Sequence, residues 1–194
     1  MLKGKFMRKI ILLMHASFDG FVGGPKGEMN WIKIDDELFD FVGKIVGQAD
    51  TGLYGRVTYQ MMESYWPTAG DKPNASKHDI EHSQWYKRVD KVVISNSMEG
   101  SKISKVQIIS GDINEGIGQL KQKEGKDILM LGSPSASHAL MHHNLIDEYW
   151  IFVNPILLGT GIPLFKSIEA KVNLRFLASK VFSSGVIGLH YEKS

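Results

Sequence analysis

The chain has 194 residues, 43% of them hydrophobic and 23% charged, with a formal net charge of +2. That composition fits one globular domain whose core is large enough to stand without staples. No basic run interleaved with aromatics is present, which disfavours nucleic acid as a partner. The absence of cysteine excludes disulfides, thiolate metal sites and cysteine nucleophiles.

Residues 1–6 read as a frayed tail and residues 7–194 as a single domain. Lys3, Lys5, Arg8 and Lys9 precede an apolar run, but the run is too short for a signal peptide and no small-residue cleavage site follows. No stretch approaches the ~20 apolar residues that a bilayer demands, so a cytoplasmic setting is expected. The run at 9–14 predicts a first, central strand. It enters a glycine-rich loop at 17–25 that Phe18, Phe21 and Val22 make too apolar for a plain solvated turn. Such loops cover ligands, and their glycines act as hinges. Asp35, Asp36 and Glu37 then precede Leu38, Phe39, Phe41, Val42, Ile45 and Val46, acids ahead of an apolar helical stripe.

Residues 51–54 predict a short strand, which Gly55 turns into a helix running to about Tyr65. Residues 66–82, with Pro67, Gly70, Pro73 and Asn74, predict a loop, with a helical turn around 78–85. Strands are expected at 91–95 and 106–110, and an amphipathic helix at 113–123 that Gly125 closes. Residues 127–132 are an apolar run ending in glycine, the pattern of a buried strand. Ser133 suits an N-cap and Pro134 a first helical turn, with Ala136, Ala139 and Leu140 at helical spacing. A strand at 149–155 and a glycine-rich turn at 158–163 complete a βαβ unit, which offers backbone N–H groups and a helix N-terminus to an anion. Residues 173–183 and 186–192 alternate in a hairpin around Ser184 and Gly185.

Strands alternating with helices and a closing hairpin predict an α/β fold with a mostly parallel sheet and an antiparallel edge. Ligands of such sheets sit beyond the carboxyl ends of the strands. Three loops gather there: 17–24, 55–58 and 132–135. Two strand–glycine–helix junctions together favour nucleotide phosphates over two bare turns. Arg56 at a helix start opposes the dipole, a conflict that a phosphate resolves through bidentate hydrogen bonds. Asp36 reads either as a helix-initiating acid or as a proton donor, and Asp19 as a ligand of substrate or a hinge of its loop. Trp31 and Phe21 either floor a planar ring or fill core. His138 and His142 lie four apart on one helix, but no third ligand is near and the glutamate of His-Glu-x-x-His is absent. No metal is expected.

The set Ser17-Phe18-Asp19-Gly20 with Trp31, then Gly55-Arg56-Val57-Thr58-Tyr59, Leu131-Gly132-Ser133-Pro134, Asp147-Glu148 and residues 155–161 resembles the dihydrofolate reductase-like superfamily. Within it the chain is similar to stand-alone proteins that resemble the C-terminal reductase domain of bifunctional riboflavin-biosynthesis deaminase/reductases. The resemblance implies a mostly parallel sheet of about eight strands with flanking helices, NADPH as hydride donor, a small-molecule substrate and a homodimer. It implies that Gly55, Arg56, Val57 and Thr58 meet the pyrophosphate, and that Gly132, Ser133, Pro134 and Ser135 cradle it from the second junction. Ser95 and Asn96 would receive the adenosine ribose and its 2′-phosphate, and Ala16 and Val22 would line the nicotinamide. Hydride would pass to a flat heterocycle or small carbonyl compound near Asp19 and Trp31, with Asp36 or a water delivering the proton. The 5-amino-6-(5-phosphoribosylamino)uracil reductases set the pattern; a dihydrofolate or pterin reductase and a non-catalytic nucleotide-binding module are the alternatives. Two departures bear on the substrate: Leu131-Gly132-Ser133 stands where those reductases usually show Glu-Gly-Gly, and Leu13 where they carry a lysine. The spacing from Trp31 to Asp36 matches that between the loop tryptophan and catalytic acid of dihydrofolate reductases, with Asn30 in place of their proline.

Overall fold

The computed structural model describes residues 7–166 and 168–194; the proposed tail at 1–6 lies outside the described residues. In chain order the elements are β1 (Ile10–Ser17), β2 (Phe21–Gly23), α1 (Asp36–Gly47), β3 (Ala49–Gly55), α2 (Arg56–Ala69), α3 (Lys77–Arg88), β4 (Asp90–Ile94) and β5 (Val106–Ile109). There follow α4 (Ile113–Gln122), β6 (Asp127–Leu131), α5 (Pro134–His142), β7 (Glu148–Asn154), β8 (Ile162–Pro163), β9 (Leu174–Val181) and β10 (Ile187–Lys193). Eight strands form one sheet in the order β5-β4-β3-β6-β1-β7-β10-β9. Every ladder from β5 to β7 is parallel, and β10 runs antiparallel to both β7 and β9. The mostly parallel sheet with an antiparallel closing hairpin is therefore the architecture expected.

From Ile10 to Met14 β1 is apolar because it is covered on both faces, as central parallel strands are. Leu12 and Met14 pack with Ile117, Leu120 and Leu140 of α4 and α5. Leu13 packs on the other face with Leu38 of α1, Tyr59 of α2 and Trp85 of α3. Burying such side chains stabilises the fold by ~1.5–3 kcal/mol each before entropy is counted. At the amino end of the sheet, Asp147 and Glu148 hold the entry of β1. Asp147 accepts from the Ile10 N–H at 2.7 Å, and Glu148 binds Lys9 at 2.6 Å and His190 at 2.8 Å.

Three expectations change. The loop expected at 66–82 shrinks to residues 70–76: α2 runs on through Pro67 to Ala69, and α3 is a full helix from Lys77. Pro67 sits in the last turn of α2, where little helix remains to disrupt, and Trp66 packs on His82 of α3 with ring centroids 4.0 Å apart. Ser76 and Asp79 form a reciprocal capping box that starts α3. The loop at 17–25 and the turn at 158–163 are not purely irregular either. β2 and β8 pair across them, so the glycine turn is pinned beside the first loop.

Candidate active site

Leu53 of β3 pairs with Met130 of β6, so the two strand–glycine–helix junctions leave the sheet side by side. They are tied directly: the Gly55 N–H donates to Ser133 Oγ at 3.0 Å. A Cβ on Gly55 would come within 3.2 Å of the Ala136 Cβ, so glycine lets α5 approach this closely. Gly132 and Ser133 turn the second junction through consecutive left-handed conformations, with φ of 59° and 62°. A non-glycine residue there carries strain of about 1 kcal/mol or more, of the kind that gathers at functional sites. The expected N-cap role of Ser133 is not what its side chain performs. Capping requires an extended residue; in the left-handed conformation Oγ makes no cap bond and binds Gly55 instead.

Beyond these junctions lies a cleft of about 710 Å³. Gly55, Arg56, Val57 and Thr58 form one wall, and Ser133, Pro134 and Ser135 the facing one. Ile94, His138, the segment Gly161 to Pro163 and Lys166 close it. His138 is fixed there by a 2.8 Å contact between Nε2 and the Pro163 carbonyl. Arg56 and Lys166 bring positive charge, and no Asp or Glu lines the cleft. Neither α2 nor α5 has an acid in its first turn or a side-chain cap. Their leading N–H groups and dipole ends therefore face the cleft without an anion of the protein's own, the setting in which a phosphate binds. The residues present fit the pyrophosphate of a dinucleotide. No cluster of three or more potential metal ligands assembles among the described residues.

The other expected positions fall outside the cleft lining. Ser95 and Asn96 follow β4, one and two residues beyond Ile94; Asn96 Oδ1 accepts from the Gly111 N–H at 3.0 Å. Ala16 and Val22 are buried in the core cluster on the α5 face. Asp19 accepts from Ser17 Oγ at 2.6 Å and from the N–H groups of Leu158 and Gly159 at 3.1 and 2.7 Å. Those bonds, the Ser17 hydroxyl first, hold its carboxyl down at about 2 and tie the first loop to the glycine turn. Trp31 is half-buried and donates from Nε1 to the Glu28 carbonyl at 2.8 Å. Asp36 is exposed in the first turn of α1, whose cap is Asp35. Ile94, Lys166 and the cleft contact of His138 were not expected from the sequence. Nor were His15 and Asn154 at the carboxyl ends of β1 and β7, where Asn154 Oδ1 accepts from the Lys33 N–H at 2.9 Å.

This arrangement is that of the dihydrofolate reductase-like fold. Dihydrofolate reductase from Enterococcus faecalis, solved with NADP(H), superposes with a TM-score of 0.62 at 16% identity over 97% of this chain and 98% of that one. A putative riboflavin biosynthesis protein from Shewanella sp. PV-4 superposes with a TM-score of 0.70 at 23% identity, covering 96% of this chain and 99% of that one. The RibD C-terminal domain family matches residues 8–188, and the chain belongs to that family. It is also 32% identical to the uncharacterized protein YyaP of Bacillus subtilis (strain 168) over 188 residues, 95% of this chain and 94% of YyaP. By family the chain is a reductase-like domain of the riboflavin-biosynthesis type.

Proposed function

We propose that the protein is a cytoplasmic NADPH-dependent reductase that passes hydride to a small heterocyclic or carbonyl substrate. The observation that carries this reading is the convergence of two uncapped helix N-termini, Arg56 and Lys166 on one carboxylate-free cleft. The cofactor supplies the hydride; the protein binds, orients and excludes water. Gly55, Arg56, Val57 and Thr58 hold the pyrophosphate from one side, and Gly132, Ser133, Pro134 and Ser135 from the other. Ser95 and Asn96 take the adenosine ribose, and the Ala16 and Val22 strands border the nicotinamide. Asp19 and Trp31 shape the substrate end. The proton that accompanies hydride comes from Asp36 or from water, and Asp36→Asn separates the two by its effect on kcat.

The deciding experiment is titration of the purified protein with NADPH and with NADH, followed by nicotinamide fluorescence. Tight NADPH binding supports the reading. A preference for NADH removes the ribose assignment to Ser95 and Asn96, and binding of neither ends the reductase reading. A homodimer belongs to the same proposal. The edge strand β9 exposes Phe176 at 54% and Val181 at 69%, apolar surface that a sheet edge does not ordinarily leave bare. Sedimentation equilibrium tests it.

A further inference from the structure

Asn154, fully buried at the end of β7, locks a histidine that the reading above leaves without a task. Its Oδ1 accepts from the Lys33 N–H at 2.9 Å, while Nδ2 lies 3.1 Å from the Phe152 carbonyl and 3.3 Å from that of Ala16. A carbonyl oxygen only accepts and an N–H only donates, so these three contacts fix which end of the amide is nitrogen. The same Nδ2 faces His15 Nδ1 at 3.3 Å. Nδ2 has two hydrogens for three acceptors, the two carbonyls and Nδ1, so Nδ1 shares one with a carbonyl. A hydrogen on Nδ1 would meet an NH2 that accepts nothing, so Nδ1 carries the lone pair and the ring proton sits on Nε2. The imidazole is held by stacking on Phe152, centroids 5.2 Å apart. Burial pushes its pKa down to about 4, so it is uncharged at neutral pH. Nε2 has no partner among the described residues.

His15 stands two residues beyond the point where Leu13 pairs with Leu131, on the strand next to the Gly132–Ser133 turn. Its contact with Phe152 places it on the sheet face that carries α1 rather than α5. It thus lies on the strand beside the cofactor junction, and the bond from Lys33 to Asn154 brings the segment between Trp31 and Asp36 to the same strand end. We infer that His15 is a specificity-determining residue whose fixed, neutral Nε2–H donates to a carbonyl oxygen of the bound heterocycle. The inference deepens the reductase reading and rests on it for the nature of the ligand. A donor that can neither flip nor charge favours an oxo group, and rejects an amino group whose N–H would meet its own. Asn154 is the positioning residue behind it.

The test uses the full chain with 15N-labelled histidine, loaded with NADP+, and two probes: uracil, which offers oxo groups, and 2,4-diaminopyrimidine, which offers amino groups at the same positions. His15 is expected as the neutral Nε2–H tautomer at pH 7, and its Nε2 resonance should shift with uracil and not with the diamine. His15→Phe keeps a ring against Phe152 but lacks the donor, and should bind uracil about tenfold more weakly with NADP+ affinity unchanged. His15→Gln, which restores an N–H, should recover part of the loss. An Nδ1–H or charged His15, no uracil binding to the wild-type protein, or equal uracil affinity in His15→Phe overturns the assignment. If NADP+ does not bind while uracil still shifts His15, the reductase reading falls and the donor stands.

Discussion

The five α-helices among the described residues begin in two different ways. α1, α3 and α4 each start on a side chain that accepts a leading N–H: Asp35, Ser76 and Asp112. Each of them also carries an acid in its first turn. α2 and α5 have neither device, and these are the two helices that open on the cleft. Every helix N-terminus presents leading N–H donors and a positive dipole end, although Pro134 removes one donor from α5 and the Gly55 N–H before α2 already binds Ser133. Three solve the problem within the chain; two leave it to be solved by whatever enters the cleft. The two helices without either device are the two that open on the cleft, and that coincidence is what the phosphate reading explains.

Supplying the missing acid should break the contrast most sharply. Val57 is 68% exposed in the first turn of α2, and Val57→Asp satisfies the dipole there, stabilising the fold by about 0.3–1 kcal/mol. The same carboxylate faces the bound pyrophosphate, and NADPH affinity should fall roughly a hundredfold. Thermal unfolding and fluorescence titration read the two effects with opposite signs; unchanged affinity would remove the phosphate from this cleft. Arg56→Ala comes next. Its guanidinium is exposed and, among the described residues, reaches Gln60 alone, at 3.1 Å, so stability should hold while NADPH affinity drops about tenfold. The drop should shrink in high salt. The capped helices give the complementary result: Ser76→Ala or Asp112→Ala should cost about 1 kcal/mol of stability and leave NADPH binding where it was.

What the sequence made legible follows the range of the interactions involved. β1, β6 and the two glycine junctions are local patterns, an apolar run ending at Gly55 or Gly132, and they lie where expected. α3 is also local in origin, since Ser76 and Asp79 form a capping box, a signal that the loop expectation from Pro67, Gly70, Pro73 and Asn74 leaves unused. The left-handed Ser133 had no such signal, because its conformation answers to Gly55 across the sheet. Lys166 lines the cleft three residues beyond β8, whose pairing with β2 is a long-range contact with no local signal. The His15–Asn154 contact spans 139 residues, and no spacing rule finds it.

The smallest expected effect is one of pH, and it separates the two kinds of helix start without a mutation. The Asp35 carboxyl lies below its ordinary value of 3.8, chiefly because it accepts the Leu38 N–H. A lowered native pKa means that the contribution is fully present above the unfolded value and is lost as pH falls through the native one. Between about pH 5 and 2 the amide of Leu38 should therefore lose protection against hydrogen exchange, once corrected for the intrinsic rate. The first turns of α2 and α5 have no carboxylate to protonate, so their amides should show no matching step in the ligand-free protein. With NADP+ bound, those same amides should gain protection while that of Leu38 does not change. Equal pH steps at all five helix starts would mean that acid acts on the fold as a whole, and the distinction between self-capped and ligand-capped helices would then carry no function.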